Sequence, residues 1–273
     1  MKKILLIILP LIILPLIILS LTTGCGGEKN TAIDDNAQDL KTVVIGFDDE
    51  FAPMSFRNEH GGLVGFDIDL AKEAARRMGI TIKFQPIDWN KKREEITSGN
   101  IDVIWNGLDI TDERKEYMIF SKPYMDDRQI FLIKKDNNQN IHTEGDLEGK
   151  RVGIQAGSIA ETYFDENDKL KGTFKDFKTY GKFNDVLDDL KNGEIDVFVC
   201  DELVARYEMN IHPDQFRIVD AKTGYVTEMG IGFRKEDTAL RDKFQQAFDE
   251  MVDDGTAKKI SEHWFNADLI KAR

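Results

Sequence analysis

EITSGNIDVI (residues 95–104) and DLKNGEIDVF (residues 189–198) decide the fold, because the two stretches match each other position by position in character. Each begins like the end of an amphipathic helix, continues with a Gly that stops the helix, and ends in an apolar strand opened by Ile-Asp-Val. A second pair, TVVIGF (residues 42–47) and RVGIQ (residues 151–155), places a strand before a turn and a helix. Strands that alternate with helices predict βαβ units and parallel sheets. Because the set occurs twice, we expect two similar α/β lobes.

The loops that follow the predicted strands are the candidate binding surface. Open parallel sheets bind their ligands beyond the carboxyl ends of the strands. Four such ends can be located, at residues 48–54, 106–109, 156–159 and 201–202. Two lobes that face each other across these loops would enclose one small ligand.

The residues that would indicate an enzyme or a metal protein are missing from the pattern. No Gly-rich dinucleotide fingerprint or phosphate loop follows either leading strand, and AGSIA (residues 156–160) lacks the spacing of a nucleophile elbow. The histidines form no metal-binding spacing; they are His60, His142, His212 and His263. We therefore predict reversible binding, with no catalytic residue, no cofactor and no metal.

Residues 1–24 have the pattern of a secretory signal peptide. Lys2 and Lys3 precede an apolar run, and the run closes with TTGC (residues 22–25). An uncleaved anchor helix is the alternative. Thr-Gly-Cys resembles a bacterial lipobox, although Thr22 stands where Leu is usual, and this resemblance implies that Cys25 becomes a lipidated, palmitate-bearing first residue. The expected location is therefore the extracellular face of a bacterial cell membrane, by a lipid anchor.

The rest of the composition limits the classes of partner that the protein can bind. The polar segment of residues 25–40 is expected to be a flexible tether. The net charge of −13 argues against nucleic acid and against an anionic membrane surface as partners. With Cys25 lipidated, Cys200 is left without an intramolecular partner, and we expect it to be a small buried hydrophobe rather than a reactive thiol. We expect a monomer.

Several motifs occur together in one order. Gly65 to Met78 has the form Gly-aromatic-acid-aliphatic-acid-aliphatic leading into a helix. With it stand FAPMSF (51–56), IDVIWNGLDITDER (101–114), SKPY (121–124) and GIGFRK (230–235). From about Lys41 to Ala267 this set resembles the family 3 extracellular solute-binding proteins, the amino-acid-binding subunits of bacterial ABC importers.

The resemblance implies a fold and a function. The fold is α/β, of the two-lobed periplasmic-binding-protein type II, in which each lobe is a mixed sheet flanked by helices. It implies a first lobe at residues 41–124 plus 230–273, a second lobe at 130–224, and a two-segment hinge near 125–129 and 225–229. A polar amino acid would bind between the lobes and pass to the membrane subunits of an ABC transporter.

The resemblance also implies a site for the α-carboxylate of the ligand. Arg114 follows the Ile-Thr-x-x-Arg pattern, and its planar guanidinium can grip a carboxylate with two parallel hydrogen bonds. The other lobe would add backbone N–H groups of Gly157, Ser158 and Ile159. Ser158 and Glu161 also have the form of a capping box, which is compatible with an anion site at a helix N-terminus.

The ammonium group would be held by Asp201, with the Gly107 carbonyl and a residue at position 109, in the loop opened by Asn106. Asp109 stands where Ser or Thr is common in the family. It could flank the ammonium together with Asp201, or it could turn towards Arg114. Asp201 could alternatively be only the N-cap of the next helix.

The side chain of the ligand would lie between Phe51 and Trp89. Asp48, with Glu50 nearby, would contact its tip, and Trp105 could be a further wall or a core residue. With Arg114 as the only cation of the proposed pocket, a ligand carboxylate at the tip would meet like charge. We therefore expect a neutral polar amino acid, a basic one, or cystine, rather than Glu or Asp.

Two acids of the family motif are expected to be structural. Asp67 and Asp69 lie where strand passes into helix, and we expect them to cap free N–H groups.

Two other functions compete with the transport function. Cyclohexadienyl dehydratases resemble this fold, and such an enzyme would need Glu202 or Asp109 as an acid or base. A sensor ectodomain would need a spanning or signalling segment after Trp264, and we expect none.

Overall fold

The computed structural model describes residues 42–219, 221 and 224–271. The predicted signal peptide, Cys25 and the predicted tether lie outside these residues. The strands are β1 Val43–Phe47, β2 Glu50–Phe51, β3 Ser55–Arg57, β4 Leu63–Val64, β5 Ile82–Pro86, β6 Val103–Ile104, β7 Met118–Phe120, β8 Met125–Lys134, β9 Arg151–Gln155, β10 Asp176–Tyr180, β11 Val197–Asp201, β12 Phe216–Val219, β13 Val226–Met229 and β14 Gly232–Arg234. The α-helices are α1 Phe66–Met78, α2 Lys92–Thr97, α3 Asp112–Lys115, α4 Ile159–Glu166, α5 Asp168–Lys171, α6 Phe183–Asn192, α7 Glu202–Ile211, α8 Thr238–Asp253 and α9 Thr256–Phe265. Short 3₁₀ helices span Trp89–Lys91 and Glu144–Leu147.

Two mixed sheets share one local topology. The first has the order β5-β1-β6-β14-β7, and the second has β10-β9-β11-β8-β12, with β13 also paired to β8. In each sheet the leading strand, β1 or β9, lies between two parallel neighbours that follow it in the chain. Antiparallel strands complete each sheet on one side. The predicted pair of similar α/β lobes is confirmed by this arrangement.

The Asp of each Ile-Asp-Val stretch makes equivalent hydrogen bonds in its own lobe. Asp102 Oδ2 accepts a hydrogen bond from Val44 N at 2.8 Å, and Asp196 Oδ2 accepts one from Arg151 N at 2.9 Å. Each carboxylate also binds an arginine, Asp102 to Arg234 at 2.5 Å and Asp196 to Arg151 at 2.6 Å. The repeated sequence therefore marks the place where each leading strand is fastened to its parallel neighbour.

Helices α1 and α6 end at the glycines that were predicted to stop them. α1 buries a face that includes Leu70, Ala71 and Ala74, and it stops at Gly79, which has a φ of 64°. α6 stops in the same way at Gly193, with a φ of 74°. These left-handed conformations favour Gly because a side chain would clash there.

The two predicted crossing segments lie side by side. β8 leaves the first lobe at Met125, and β13 returns to it at Met229, which is the antiparallel partner of Met125. The first part of β8 and all of β13 therefore form one antiparallel ladder. Helix α9 packs against α1, where the Phe265 ring contacts the Phe66 ring at a centroid distance of 5.0 Å.

Within the described ranges, no helix is both long enough and apolar enough to cross a lipid bilayer.

Candidate ligand-binding cleft

A cleft lies between the two sheets, beyond the carboxyl ends of their parallel strands. About 440 Å³ of space not filled by protein atoms, part of it open solvent, lies in it. The structure brings all ten predicted site residues to its walls: Asp48, Phe51, Trp89, Asn106, Gly107, Asp109, Arg114, Ser158, Ile159 and Asp201. The walls also include residues that the sequence analysis missed, namely Gln129, Gln155, Phe183, Phe198, Val199 and Cys200.

One end of the cleft is built around Arg114, which is only 3% exposed. Its Nη1 donates to the Asp109 carbonyl at 2.9 Å and lies 3.5 Å from Asp109 Oδ2. Its Nη2 donates across the cleft to the Gly157 carbonyl at 3.3 Å. The Asp109 carboxylate thus lies beside Arg114, and its other oxygen binds the Thr227 hydroxyl.

Lys92 is a second cation at this end, and the sequence analysis missed it. Its Nζ donates to the Gly157 carbonyl at 2.6 Å and to the Trp89 carbonyl at 3.2 Å. The side chain is 6% exposed, and burial, together with the charge of Arg114, lowers the pKa of Lys92 to about 7. Arg114 is therefore not the only cation near the proposed carboxylate site, although Lys92 lies behind the cleft wall.

The turn before α4 differs in detail from the predicted capping box. Ser158 Oγ accepts from Glu161 N at 3.3 Å, as predicted. The Glu161 carboxylate, however, accepts from Gly157 N at 2.6 Å rather than from Ser158 N, and Ser158 N donates to the Gln155 carbonyl. Two of the three N–H groups expected to bind an anion thus already have acceptors. Ile159, as the first helical residue, has an N–H that no acceptor within its own helix can reach.

Acidic residues line the cleft on both lobes, with Asp109 on the first and Asp201 on the second. Asp201 is the N-cap residue of α7, but its side chain makes no cap hydrogen bond. Instead Asp201 Oδ1 accepts from Gln129 Nε2 at 2.5 Å. Burial and the nearby Asp109 carboxylate raise the pKa of Asp201 to about 7. The Asp109 Oδ1 atom accepts from the Thr227 hydroxyl on β13 at 2.5 Å.

A polar network occupies the region around Asp48. The Gln155 amide donates across the cleft to Asp48 Oδ2 at 2.6 Å. Asp48 N donates to Asn106 Oδ1, and the Asn106 amide donates to Ser55 Oγ at 2.7 Å. Burial raises the pKa of Asp48 above its usual range. Glu50 lies outside the cleft wall, in an ion pair with Lys182 of the second lobe at 2.6 Å.

Aromatic rings form the apolar part of the cleft. Phe51 of the first lobe meets Phe183 of the second edge to face, with centroids 5.8 Å apart. Trp89 is 7% exposed and also lines the cleft. Trp105 is a core residue instead: it is fully buried among Tyr124, Phe244 and Phe248.

Asp67 and Asp69 lie in the first turn of α1, as expected, but their carboxylates bind other parts of the first lobe rather than the free N–H groups of this helix. Asp67 Oδ2 accepts from Gly107 N at 2.6 Å, and Asp67 Oδ1 accepts from the Tyr124 hydroxyl at 3.0 Å. Asp69 accepts from Trp264 Nε1 at 3.0 Å. Both are structural, as predicted, but Asp67 does its work by fixing the loop that carries Asn106 and Gly107.

Among the described residues, no group of three or more His, Cys, Asp or Glu side chains is arranged to hold a metal ion. Cys200 is buried, and burial raises the pKa of its thiol. Glu202 does not line the cleft; it pairs with Arg128 and with Arg206.

The paired sheets, the two crossing strands and the cleft between them define a two-lobed periplasmic-binding-protein fold of type II. The sequence profile of the bacterial extracellular solute-binding proteins, family 3, matches residues 43–267. This chain therefore belongs to that family.

The most similar relatives include proteins for different amino acids. The chain is 32% identical over 230 residues to the L-cystine-binding protein TcyJ of Escherichia coli (strain K12), covering 84% of this chain and 85% of TcyJ. It is 32% identical over 252 residues to the arginine-binding extracellular protein ArtP of Bacillus subtilis (strain 168), covering 90% of this chain and 93% of ArtP.

Solved structures agree with this assignment. An ABC uptake transporter substrate-binding protein from Streptococcus pneumoniae with bound histidine is 38% identical, with a TM-score of 0.80, over 85% of this chain and 95% of that one.

Proposed function

We propose that this protein captures one free polar amino acid between its lobes, outside a bacterial cell, and delivers it to an ABC transporter. Anchoring by a lipid on Cys25, after removal of residues 1–24, completes the proposal. The observation that carries it is the pairing, in one cleft, of buried Arg114 with the carboxylates of Asp109 and Asp201. A free amino acid carries an anion and a cation on neighbouring atoms, and these walls are complementary to it.

The carboxylate of the amino acid would meet Arg114 and the N-terminal turn of α4. Arg114 now donates to two carbonyls, one from each lobe, and a ligand carboxylate offers a stronger, charge-assisted acceptor. The ammonium group would face Asp201 and Asp109. One lobe alone supplies only part of this contact set, so the ligand favours the closed arrangement.

Contacts across the cleft support closure as the working motion. Gln155 binds Asp48, Lys92 binds the Gly157 carbonyl, and Lys182 pairs with Glu50. We infer that these contacts separate when the lobes open about the ladder of β8 and β13.

The ligand class follows from charge. The walls hold Asp48, Asp109 and Asp201 against Arg114. After the ligand zwitterion is balanced, an acid remains for the side chain, so an amide, a cationic group or cystine is favoured over Glu and Asp. The named relatives bind cystine and arginine, and the structural neighbour holds histidine, which agrees with this class.

The dehydratase alternative needs an acid or base over the ligand. Of its two candidates, Glu202 is held by two arginines away from the cleft wall, whereas Asp109 lines the cleft. The relatives named above are binding proteins. Incubation with prephenate and arogenate, followed by chromatography, should give no product, and product formation would replace the binding proposal by an enzymatic one.

A thermal-shift screen tests the proposal. Each of the twenty amino acids and cystine is added to the protein, and unfolding is followed. A ligand at a hundred times its dissociation constant adds about 2.7 kcal/mol to the free energy of unfolding. At least one polar amino acid should give a clear shift; no shift with any member of the set would contradict the proposal.

A further inference from the structure

Asp127, on the crossing strand β8, is a buried carboxyl group that the proposed function does not use. It is 4% exposed. Its Oδ2 accepts from Gln129 Nε2 at 3.1 Å, while its Oδ1 is buried with no hydrogen-bond partner among the described residues. An unpartnered buried carboxylate oxygen is costly unless it carries a proton or meets a cation.

Gln129 connects this carboxyl group to the cleft. The same Nε2 atom donates to Asp201 Oδ1 at 2.5 Å, so one amide bridges the two carboxyl groups. Gln129 lines the cleft, and its Oε1 is also buried with no partner among the described residues. Two acceptor atoms without donors thus lie beside Asp201, at the wall proposed to meet the ligand ammonium.

Carboxyl groups outnumber cations around the cluster formed by Asp127, Gln129 and Asp201. Asp109, in the loop after β6, accepts a hydrogen bond from the Thr227 hydroxyl at 2.5 Å. Thr227 is the partner of Asp127 in the β8–β13 ladder. Arg114 is the cation that faces the cluster, through Asp109. Other neighbouring ionisable groups are either neutral or paired elsewhere: Cys200 on β11, Arg128 with Glu202, and Asp126 and Glu228 with Lys271.

Three buried carboxyl groups beside one cation cannot all be ionised without strong repulsion. Burial, and then the Asp201 charge, raises the pKa of Asp127 well above its usual range. Burial, and then Asp109, raises the pKa of Asp201 to about 7. Both shifts therefore favour a proton on the pair of Asp127 and Asp201.

We propose that Asp127 and Asp201 hold one shared proton in the ligand-free cleft, and that the ligand ammonium displaces it. The inference rests on the proposed function for its second half. On binding, the O–H proton leaves to the buffer, and ammonium N–H groups donate to the freed carboxylate and to Gln129 Oε1. Asp127 is thus a positioning residue that keeps Asp201 ready for a cation.

The sign of the pH dependence follows. A proton held by the free protein and absent from the complex must be removed before the ligand binds. Affinity therefore strengthens as pH rises through the range in which the free protein loses the shared proton, and it weakens by roughly tenfold per pH unit below that range. The ligand-induced gain in melting temperature should increase from pH 5 to pH 7 in the same way.

Infrared spectroscopy of the ligand-free protein at neutral pH tests the shared proton directly. The carboxylic-acid C=O band should be weaker in Asp127→Asn than in the parent, and unchanged in Asp126→Asn, an exposed neighbour on the same strand. Equal acid bands in Asp127→Asn and the parent would overturn the shared proton.

Calorimetry tests the displacement. The parent is titrated with L-arginine, L-glutamine and L-cystine at pH 6.5 in two buffers of different ionisation enthalpy. Binding should release about one proton, and Asp127→Asn should release fewer. Binding without proton release would overturn this inference and leave the proposed function intact.

The remaining outcomes are also decisive. If none of the three probes binds, displacement by these ammonium groups is overturned and the proposed function is weakened, while the infrared result still decides the shared proton. If Asp127→Asn does not fold, proton release by the parent still decides the displacement.

Discussion

The two charged walls of the cleft hold their buried charges by different means. Arg114 and Lys92 both donate to the neutral Gly157 carbonyl, so each cation has an acceptor before any ligand arrives. The acidic wall has fewer donors than acceptors, because Asp201 and Asp127 share the single Gln129 amide nitrogen. The two basic side chains thus have an acceptor on the opposite lobe. Near Asp201, in contrast, Asp127 Oδ1 and Gln129 Oε1 have no donor among the described residues. A zwitterion placed between the two walls would be oriented by this difference.

The largest expected effect is at the cationic wall. Arg114→Ala should weaken amino-acid binding by about 2–5 kcal/mol, because it removes the buried cation opposite the ligand carboxylate. Calorimetry measures the loss, and circular dichroism checks the fold. Lys115→Ala is the matched control, since Lys115 is exposed on the same short helix. An affinity of Arg114→Ala within about threefold of the parent would remove Arg114 from the site.

Lys92 should matter less, because it acts through the second lobe. Lys92→Met keeps most of the length of the side chain and removes its donor to the Gly157 carbonyl. We expect binding to weaken by about 0.5–1.5 kcal/mol, the usual net contribution of a hydrogen bond, because a lysine with a pKa of about 7 is only partly charged at neutral pH. Lys91→Met is the control, since Lys91 is exposed next to it. Equal affinities of Lys92→Met and the control would show that this contact does not hold the lobes together.

Gly157 explains why one carbonyl can serve both cations. Its φ is 72°, and an added Cβ would lie 2.8 Å from Lys92 Nζ. A larger residue would therefore displace the lysine as well as strain the turn.

A smaller effect is expected at Asp48. Asp48→Asn removes a negative charge from the region proposed for the ligand side chain. The preference over Glu should fall by about tenfold, or 1.4 kcal/mol, through better binding of Glu. Competition against a labelled ligand measures the ratio, and Asp49→Asn, a charge change outside the cleft wall, is the control. An unchanged ratio in Asp48→Asn would place the side chain elsewhere.

Closure should give the smallest signal. In solution scattering, the radius of gyration should decrease when ligand is added, because the lobes rotate together about the β8–β13 ladder. Profiles that superimpose with and without saturating ligand would contradict closure.

Much of the architecture could be predicted because the sequence repeats it. Asp102 and Asp196 occupy equivalent places in the two lobes, and local patterns alone located them. Eight of the ten proposed site residues lie at the predicted strand ends, because the carboxyl ends of parallel strands meet at one edge. Trp89 and Arg114 followed only from the family resemblance.

What the sequence did not reveal depends on contacts between the lobes. Lys92 is one of several charged residues on a short helix, and it is buried because it reaches Gly157 of the other lobe. Gln129 reaches the cleft because β8 pairs with β11, where it lies opposite Asp201, and local sequence patterns do not give this register. Trp105 precedes cleft-lining Asn106, and successive side chains of an extended chain point to opposite faces, so the tryptophan lies in the core.

The central claim is that the cleft selects an amino acid with a neutral polar or basic side chain, or cystine. The most direct test is competition at neutral pH between the tightest-binding labelled amino acid and free Glu. We predict that Glu competes at least about tenfold more weakly, or roughly 1.4 kcal/mol. If Glu or Asp is instead the tightest ligand of the twenty amino acids and cystine, the charge assignment of the cleft is contradicted.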